Sequence, residues 1–418
     1  MRILYAHQYF SGRGGALGDR SYAFAHALRA RGHAVSVVCA SSTRSVSGLS
    51  DPFVGGKREG MVEGLHVIEF DLAYSNADGI AARAWKFIRY ALNSMMVAAT
   101  RPYDLVFATS TPLSASLPGI AAKLLRGRPF VFEVRDLWPE IPVAMGMTNP
   151  VLVAGMGALE WVSYKMADRC VALAPGIADG IARHGIARDK IAMIPNGSDF
   201  DLFGAAAAKR PPGVKEGEFC AIFAGAHGKA NGLDAVIDAA RELKRRGRSD
   251  IKLVLIGEGS EKPRLQQIAA AEGLDAVLFQ DPVSRKDVTS LLKGADLGLQ
   301  ILADIPAFYH GTSPNKFFDY LAAGLPVLIN YPGWLAGLVG EQDAGYVVAP
   351  RDPAAFVDAL AAAADDKAAR THKGANASAL GRAQFDRANA APAFVAWLEA
   401  AAPRHAPIAS SVPGPAQG

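Results

Sequence analysis

Cysteine is scarce in this chain. Only Cys39, Cys170 and Cys220 occur in 418 residues, far apart and never in a Cys-x-x-Cys pair. That argues against a disulfide framework and a thiolate metal cluster, and makes buried free thiols in a reducing compartment the expectation. Long hydrophobic runs are missing too. No window holds eighteen uninterrupted apolar residues, so no spanning helix is expected. The opening residues MRILYAHQYF pass directly into a strand pattern without the apolar region of a signal peptide. An excess of one charge is also absent, because 44 Lys and Arg face 40 Asp and Glu for a net charge of +4. A balance that mild suits an enzyme of anionic substrates or a protein near anionic lipid, and gives no support to nucleic acid as a partner. The expected location is cytoplasmic, at most peripheral on the inner face of the cytoplasmic membrane.

What the chain does have is alternation. RILYA, AVSVVCA, HVIEF, YDLVFATS, PFVFEV, RCVALA and IAMIP are short apolar runs separated by helical or loop segments. FCAIFAG, IKLVLIG, AVLFQD, DLGLQIL, LPVLI and GYVVA repeat the logic. Such alternation predicts α/β structure with doubly wound parallel sheets, and 418 residues exceed what one core holds. The reading is two Rossmann-like domains, 1–204 and 205–380, joined near 204–218. A helix over 381–402 is expected to pack back on the first domain, and 403–418 has the composition of a disordered tail.

Residues 310–329 read HGTSPNKFFDYLAAGLPVLI. A loop, Gly311 to Asn315, runs into a helix that starts near Lys316 and stops at Gly324. Free N–H groups and the partial positive charge of a helix N-terminus suit a phosphate. Thr312 and Ser313 add hydroxyls, Pro314 and Asn315 complete the loop, Lys316 adds a full charge, and Asp319 could accept from a ribose. Ordinary capping explains Ser, Pro, Asn and Gly equally well, but does not require the lysine. Three further glycine-bearing turns follow strands: SGRGGALGDR with Gly14 and Gly15, FAGAHGKANG with Lys229, and IGEGSEK with Glu258. They lie at strand carboxyl ends, where open α/β sheets bind ligands. None is the GxGxxG fingerprint and no acidic residue closes the second strand, which disfavours a nicotinamide oxidoreductase. In FEVRDLWPE, Glu133 and Asp136 are acidic residues at a strand end, one of which could orient an acceptor hydroxyl. A structural role is the alternative.

Six pieces in order resemble the retaining glycosyltransferase family 4, which has the GT-B architecture of two domains facing a central cleft. They are the GG loop followed by LRARGHAVSVV, then YKMADRCVALAPGI, KIAMIPNGSDFDLF, FAG…NGLDAVIDAA, LVLIGEGSEKPRLQQIA and KFFDYLAAGLPVLI. EVRDLWPE and SPNKFFDYLAAG are similar to the branch of O-antigen and capsule amino-sugar transferases, of fucosaminyl type. The resemblance implies that Gly14 and Gly15 lie at the donor diphosphate and that Asp319 holds the ribose. It also exposes departures. The family's sugar-binding glutamate falls on Gly311, its Arg and Lys fall on Ala226 and Asn231, and its catalytic-region His falls on Arg135. Lys229 and Lys316 are the substitute cations.

The implied function is transfer of a sugar, an N-acetylated amino sugar, with retention from a UDP-linked donor to a lipid-linked saccharide in cell-surface polysaccharide synthesis. No cofactor is implied, since the nucleotide-sugar is itself the substrate. A metal is not expected, because no DxD stands at a loop where a divalent ion would be needed. A non-hydrolysing nucleotide-sugar epimerase and a nucleotide-sugar-binding protein without catalysis remain as alternatives.

Over 83–99, apolar residues at 84, 87, 88, 91, 92, 95 and 96 form one helical face opposite Arg83, Lys86 and Arg89, with Trp85 at the border. An interfacial helix on anionic lipid has this pattern, and so has a core-packed helix with a basic outer face. The apolar stretch 141–162 adds a second greasy segment.

Overall fold

The computed structural model describes residues 1–12, 19–42, 46–74 and 79–402. The strands are β1 (Arg2–Ala6), β2 (Ala34–Ser42), β3 (Lys57–Val62), β4 (Leu65–Tyr74), β5 (Leu105–Thr109), β6 (Phe130–Val134), β7 (Arg169–Ala172) and β8 (Ile191–Met193) in the first half. The second half has β9 (Phe219–Ala224), β10 (Ile251–Ile256), β11 (Val277–Gln280), β12 (Leu297–Gln300), β13 (Val327–Ile329) and β14 (Gly345–Val347). They form two separate sheets, ordered β3-β4-β2-β1-β5-β6-β7-β8 and β11-β10-β9-β12-β13-β14. Strands β5 and β6 are buried at every residue, as continuous apolar strands are when helices cover both faces. In each sheet the order reverses beside the first strand, β1 or β9, and a crevice opens at such a point beyond the strand carboxyl ends.

The sequence reading lacks β3. KREGMV is charged and contains Gly, a poor strand composition. It pairs antiparallel with β4 through a turn in which Glu63 and Gly64 both have positive φ, 47° and 82°. Arg58 on β3 ion-pairs with buried Glu69 on β4 at 2.7 Å.

Residues 310–329 also differ from a plain loop-to-helix reading. His310 and Gly311 end a short helix, Pro306–Gly311, and only Thr312 to Pro314 are extended before the helix Asn315–Ala322. Gly324, at φ +72°, stops that helix ahead of β13.

The stripe read over 84–96 is not the packing face of its helix, Ile80–Thr100. The packing face is Tyr90, Ser94, Val97 and Ala98 with Ala91, the one fully buried member of the stripe, whereas Ile88, Leu92 and Met96 are exposed and Phe87 and Met95 half-buried. The chain crosses between halves at two adjacent points. Ser198 accepts from the Arg387 N–H and donates its own N–H to the Phe385 carbonyl. A Cβ at Gly197 would lie 2.4 Å from that carbonyl oxygen, so this crossing admits only glycine. The helix Arg387–Glu399 then lies on the first sheet, with Phe394 stacked on Phe24 at 4.3 Å and the Trp397 indole N–H donating to the Cys170 carbonyl. All three cysteines are buried and free, and burial pushes the Cys170 and Cys220 thiols up to about 12.

Candidate functional site

The carboxyl ends of both sheets border one cleft with two lobes. The first, about 410 Å³, takes His7 after β1, Thr111 after β5, Arg135 and Asp136 after β6, and Thr312 to Lys316 from the second half. The second, about 460 Å³, lies against the second sheet, with Gly225, Glu258, Pro282 and Val283 after β9, β10 and β11, and with Arg285 and Asp319. Asn231, Pro314, Asn315 and Lys316 line both lobes, so the N-terminus of the helix Asn315–Ala322 stands at their junction. Among the described residues no side chain caps that helix.

Lys316 is the charge at this junction. Its ammonium donates to the Asn231 side-chain oxygen at 2.5 Å and lies 4.5 Å from the centre of the Phe223 ring. Among the described residues no carboxylate pairs with it. Burial brings its pKa down to about 7, because a low-dielectric surrounding disfavours the charged form. Asn231, which the resemblance sets where the family has a cation, thus accepts from a lysine of another element. Lys229, two residues earlier, is exposed on a 3-10 turn and lines neither lobe.

The other loop residues divide. The Thr312 hydroxyl donates to the Phe308 carbonyl at 2.8 Å. The Ser313 hydroxyl accepts from the Asn196 N–H, and its carbonyl from the Asn196 amide, tying this loop to the first half. Glu258 is exposed on the second lobe beside Lys262. A Cβ at Gly311 would meet nothing within 4 Å. Gly14 and Gly15 lie outside the described residues. The glycines of the two turns after β9 and β10 serve each other: a Cβ on Gly257, φ +145°, would sit 1.9 Å from the Gly225 carbonyl oxygen.

Glu133 and Asp136, three residues apart, have opposite surroundings. Glu133 is fully buried. It accepts from Arg20 at 2.8 and 3.0 Å and from the Thr109 hydroxyl at 2.8 Å, so it does not reach the cleft. Asp136 lines the first lobe and accepts from the Thr111 hydroxyl at 3.1 Å. Burial raises its carboxyl above the usual range, opposed by Arg135 and that hydroxyl. Arg135 lines the same lobe and, after burial itself, helps hold His7 well below the ordinary histidine range, so His7 is a neutral imidazole.

Asp319 is buried with both oxygens engaged. It receives two hydrogen bonds from Arg285, at 2.6 and 2.7 Å, and one from the Ser198 hydroxyl at 2.7 Å. In this arrangement the carboxylate reserved by resemblance for a ribose bridges the second half to the crossing between halves. Asp319→Ala is expected to lower stability by about 2 kcal/mol, since it strands a partly buried guanidinium. An unchanged denaturation midpoint would return Asp319 to a purely ligand-binding role.

Sequence reasoning missed His7, Asn196, Arg285 and Arg387. No local motif marks them, since each acquires its place from a partner more than thirty positions away.

Residues 15–197 match the family model described as Glycosyl transferase 4-like domain, and residues 206–379 the model described as Glycosyl transferases group 1. A D-inositol 3-phosphate glycosyltransferase of Streptomyces avermitilis is 30% identical over 222 residues, covering 50% of this chain and 47% of the relative. The chain thus spans about half the length of the curated relatives it matches. Among solved structures, Anabaena HepE in complex with UDP superposes with a TM-score of 0.65 at 16% identity, covering 96% of this chain and all of that one. Sucrose-phosphate synthase from Thermosynechococcus elongatus gives 0.74 at 14% identity, covering 96% and 98%. At such identities these two establish the fold, two α/β domains in the GT-B arrangement.

Proposed function

The chain consists of a glycosyltransferase 4-like domain followed by a glycosyltransferase group 1 domain, and on that premise we propose that it transfers a sugar from a nucleotide diphosphate donor, UDP-linked, to an acceptor held against the first domain. The observation that carries the reading is Lys316 at the junction of the two lobes, beside an uncapped helix N-terminus and paired with no carboxylate among the described residues. A diphosphate there meets N–H dipoles and one full charge. The nucleoside extends into the second lobe toward Glu258 and Val283, and the sugar and acceptor occupy the first.

Cleavage of the bond from sugar C1 to phosphate puts negative charge on the leaving diphosphate, which the fixed dipoles and Lys316 stabilise. The acceptor hydroxyl attacks on the departing face, which retains configuration, and its proton passes to the leaving phosphate. Asp136 orients that hydroxyl. An N-acetylated amino sugar as the transferred group, a lipid-linked saccharide as acceptor and a place in cell-surface polysaccharide synthesis are the finer parts of the proposal. They rest on the wording of EVRDLWPE and SPNKFFDYLAAG, and the UDP found on HepE supports the choice of nucleotide.

A thermal-shift panel of UDP-, GDP- and ADP-sugars tests the donor, since a ligand of the native state raises the melting temperature with its affinity and excess. Lys316→Met is expected to weaken UDP more than tenfold, about 1.4 kcal/mol or more. The free protein should melt no lower, because a partly buried ammonium that its surroundings disfavour is removed. The sign follows from linkage. Folded Lys316 titrates near 7 and the unfolded lysine near 10.5, so burial is unfavourable below pH 7 and the deficit closes as pH rises through that window. By the same reasoning UDP affinity falls as pH rises above 7, as the free protein loses the proton the diphosphate requires. Unchanged affinity in the variant would remove the diphosphate from this site. UDP release that depends on an added acceptor separates transfer from epimerisation, which needs the donor alone.

A further inference from the structure

Helices Ile80–Thr100, Leu117–Arg126 and Pro150–Met166 follow β4, β5 and β6 and cover one face of the first sheet. A helix covering a sheet ordinarily turns its apolar side inward and its polar side to water. Here the outer side is apolar. Trp85, Ile88, Leu92 and Met96 are 60%, 49%, 56% and 67% exposed, and their spacing of three and four places them in one stripe along the outside of the first helix. Leu124 and Leu125, both about two-thirds exposed, end the second helix.

The third helix, PVLVAGMGALEWVSYKM, carries a single acid, Glu160. That residue is buried, accepting from the Tyr164 hydroxyl and the Trp138 N–H. Its outer side shows Val151, Leu152 and Trp161 to solvent. Scattered exposed leucines need no explanation, but exposed apolar side chains gathered on the outer sides of three neighbouring helices mark an interaction surface.

Charge selects the occupant. The first two helices contain no Asp or Glu, yet carry Arg83, Lys86, Arg89, Lys123 and Arg126; Lys123 is ion-paired with Asp168, while Arg89 and Arg126 are exposed. Apolar side chains bordered by basic residues, with tryptophans at the edges, fit the interface of an anionic bilayer. Among the described residues no helix is long and apolar enough to cross a membrane, so the contact is of the kind that lies on the surface. We infer that this three-helix face docks the protein on anionic lipid.

The chain reaches this face directly from the site. The short helix Glu140–Ala144 begins four residues after Asp136, and Val143 and Met145, at its end, are exposed on the way to Pro150. A saccharide linked to a membrane lipid would therefore enter the first lobe from the bilayer side. That last step rests on the acceptor reading above, whereas the docking itself does not.

Flotation with phosphatidylcholine vesicles, with and without about one-third phosphatidylglycerol, tests it. The wild-type chain is expected to bind the anionic vesicles with a blue shift of tryptophan fluorescence, to bind pure phosphatidylcholine weakly, and to be released by salt. Leu92→Ser with Met96→Ser, and separately Arg89→Glu with Arg126→Glu, should each reduce binding roughly tenfold. These residues are on the outside of their helices, so the UDP-induced thermal shift of the variants should equal that of the wild type. That shift also separates the two failures: vesicle binding without any UDP response leaves the docking face standing and removes the transferase reading. A UDP response without vesicle binding, or vesicle binding indifferent to both double variants, overturns the docking face. So does a concentration-dependent dimer abolished by the same substitutions, which would give the face to a second copy of the chain.

Discussion

Asp136→Asn is expected to lower turnover at saturating donor by about a hundredfold or more, with UDP affinity and melting temperature unimpaired. The carboxyl stands in the first lobe, on the first-domain side of the cleft, with one hydrogen bond from Thr111 and a pKa raised by burial. Asparagine preserves the shape and the bond from Thr111 but cannot accept an acceptor hydroxyl through a charged oxygen. The effect therefore belongs in the chemical step and not in donor binding.

The pH dependence has a definite sign. A carboxyl raised above its unfolded value is protonated at higher pH than an ordinary aspartate, so activity should fall on acidification starting above the usual carboxylate range, and the Asn variant should lack that limb. Stability runs the other way. The folded state holds its proton more tightly than the unfolded chain, so ionisation costs stability as pH rises through the raised pKa. At pH 7 the Asn variant should melt no lower than the wild type. Undiminished turnover in a transfer assay would take Asp136 out of the site, and a fall of several degrees in melting temperature would make it structural.

Glu133→Gln, three residues earlier, is expected to do the reverse. The substitution leaves Arg20, 5% exposed, with its charge uncompensated in the interior, a change that costs about 3 kcal/mol or more. For a domain of this size that is roughly 6 °C or more in melting temperature, and a lower urea midpoint with an unchanged slope. Arg20 also donates to the Ile194 and Pro195 carbonyls, so Glu133 holds together β6, the helix Asp19–Ala30 and the segment that leads to Asn196. Any loss of activity should follow the loss of folded protein and disappear when rates are scaled to the folded fraction. An unchanged midpoint would show that Gln satisfies Arg20 by hydrogen bonding alone.

These two acids show where sequence reading reaches its limit. FEVRDLWPE places both at the end of a strand, but strand periodicity says only which face a side chain takes, not what stands on that face. Arg20 is 113 positions from Glu133, and nothing local announces the pairing. The same holds for Asp319. Its position one turn inside a helix suggests a ligand carboxylate, but Arg285, 34 residues away, and Ser198, 121 away, fill its oxygens. Lys316 owes its place to a partner distant in sequence. The resemblance implies a cation at Asn231, and a lysine 85 positions later stands beside that residue.

The sequence by itself determined the α/β class, thirteen of the fourteen strands among the described residues, the glycine-bearing turns after β9 and β10 and the lysine at a helix N-terminus. These are local properties, written in apolar runs, periodicity and turn residues that act over a few positions. Only the tertiary structure decided that the two sheets share one cleft, which carboxylates are paired and which remains open, and that the helix over 80–100 turns its apolar stripe outward. Each of those depends on which distant residue fills the space beside a side chain. In a fold with parallel strands, whose neighbours are brought together by long crossovers, that partner lies tens of residues away.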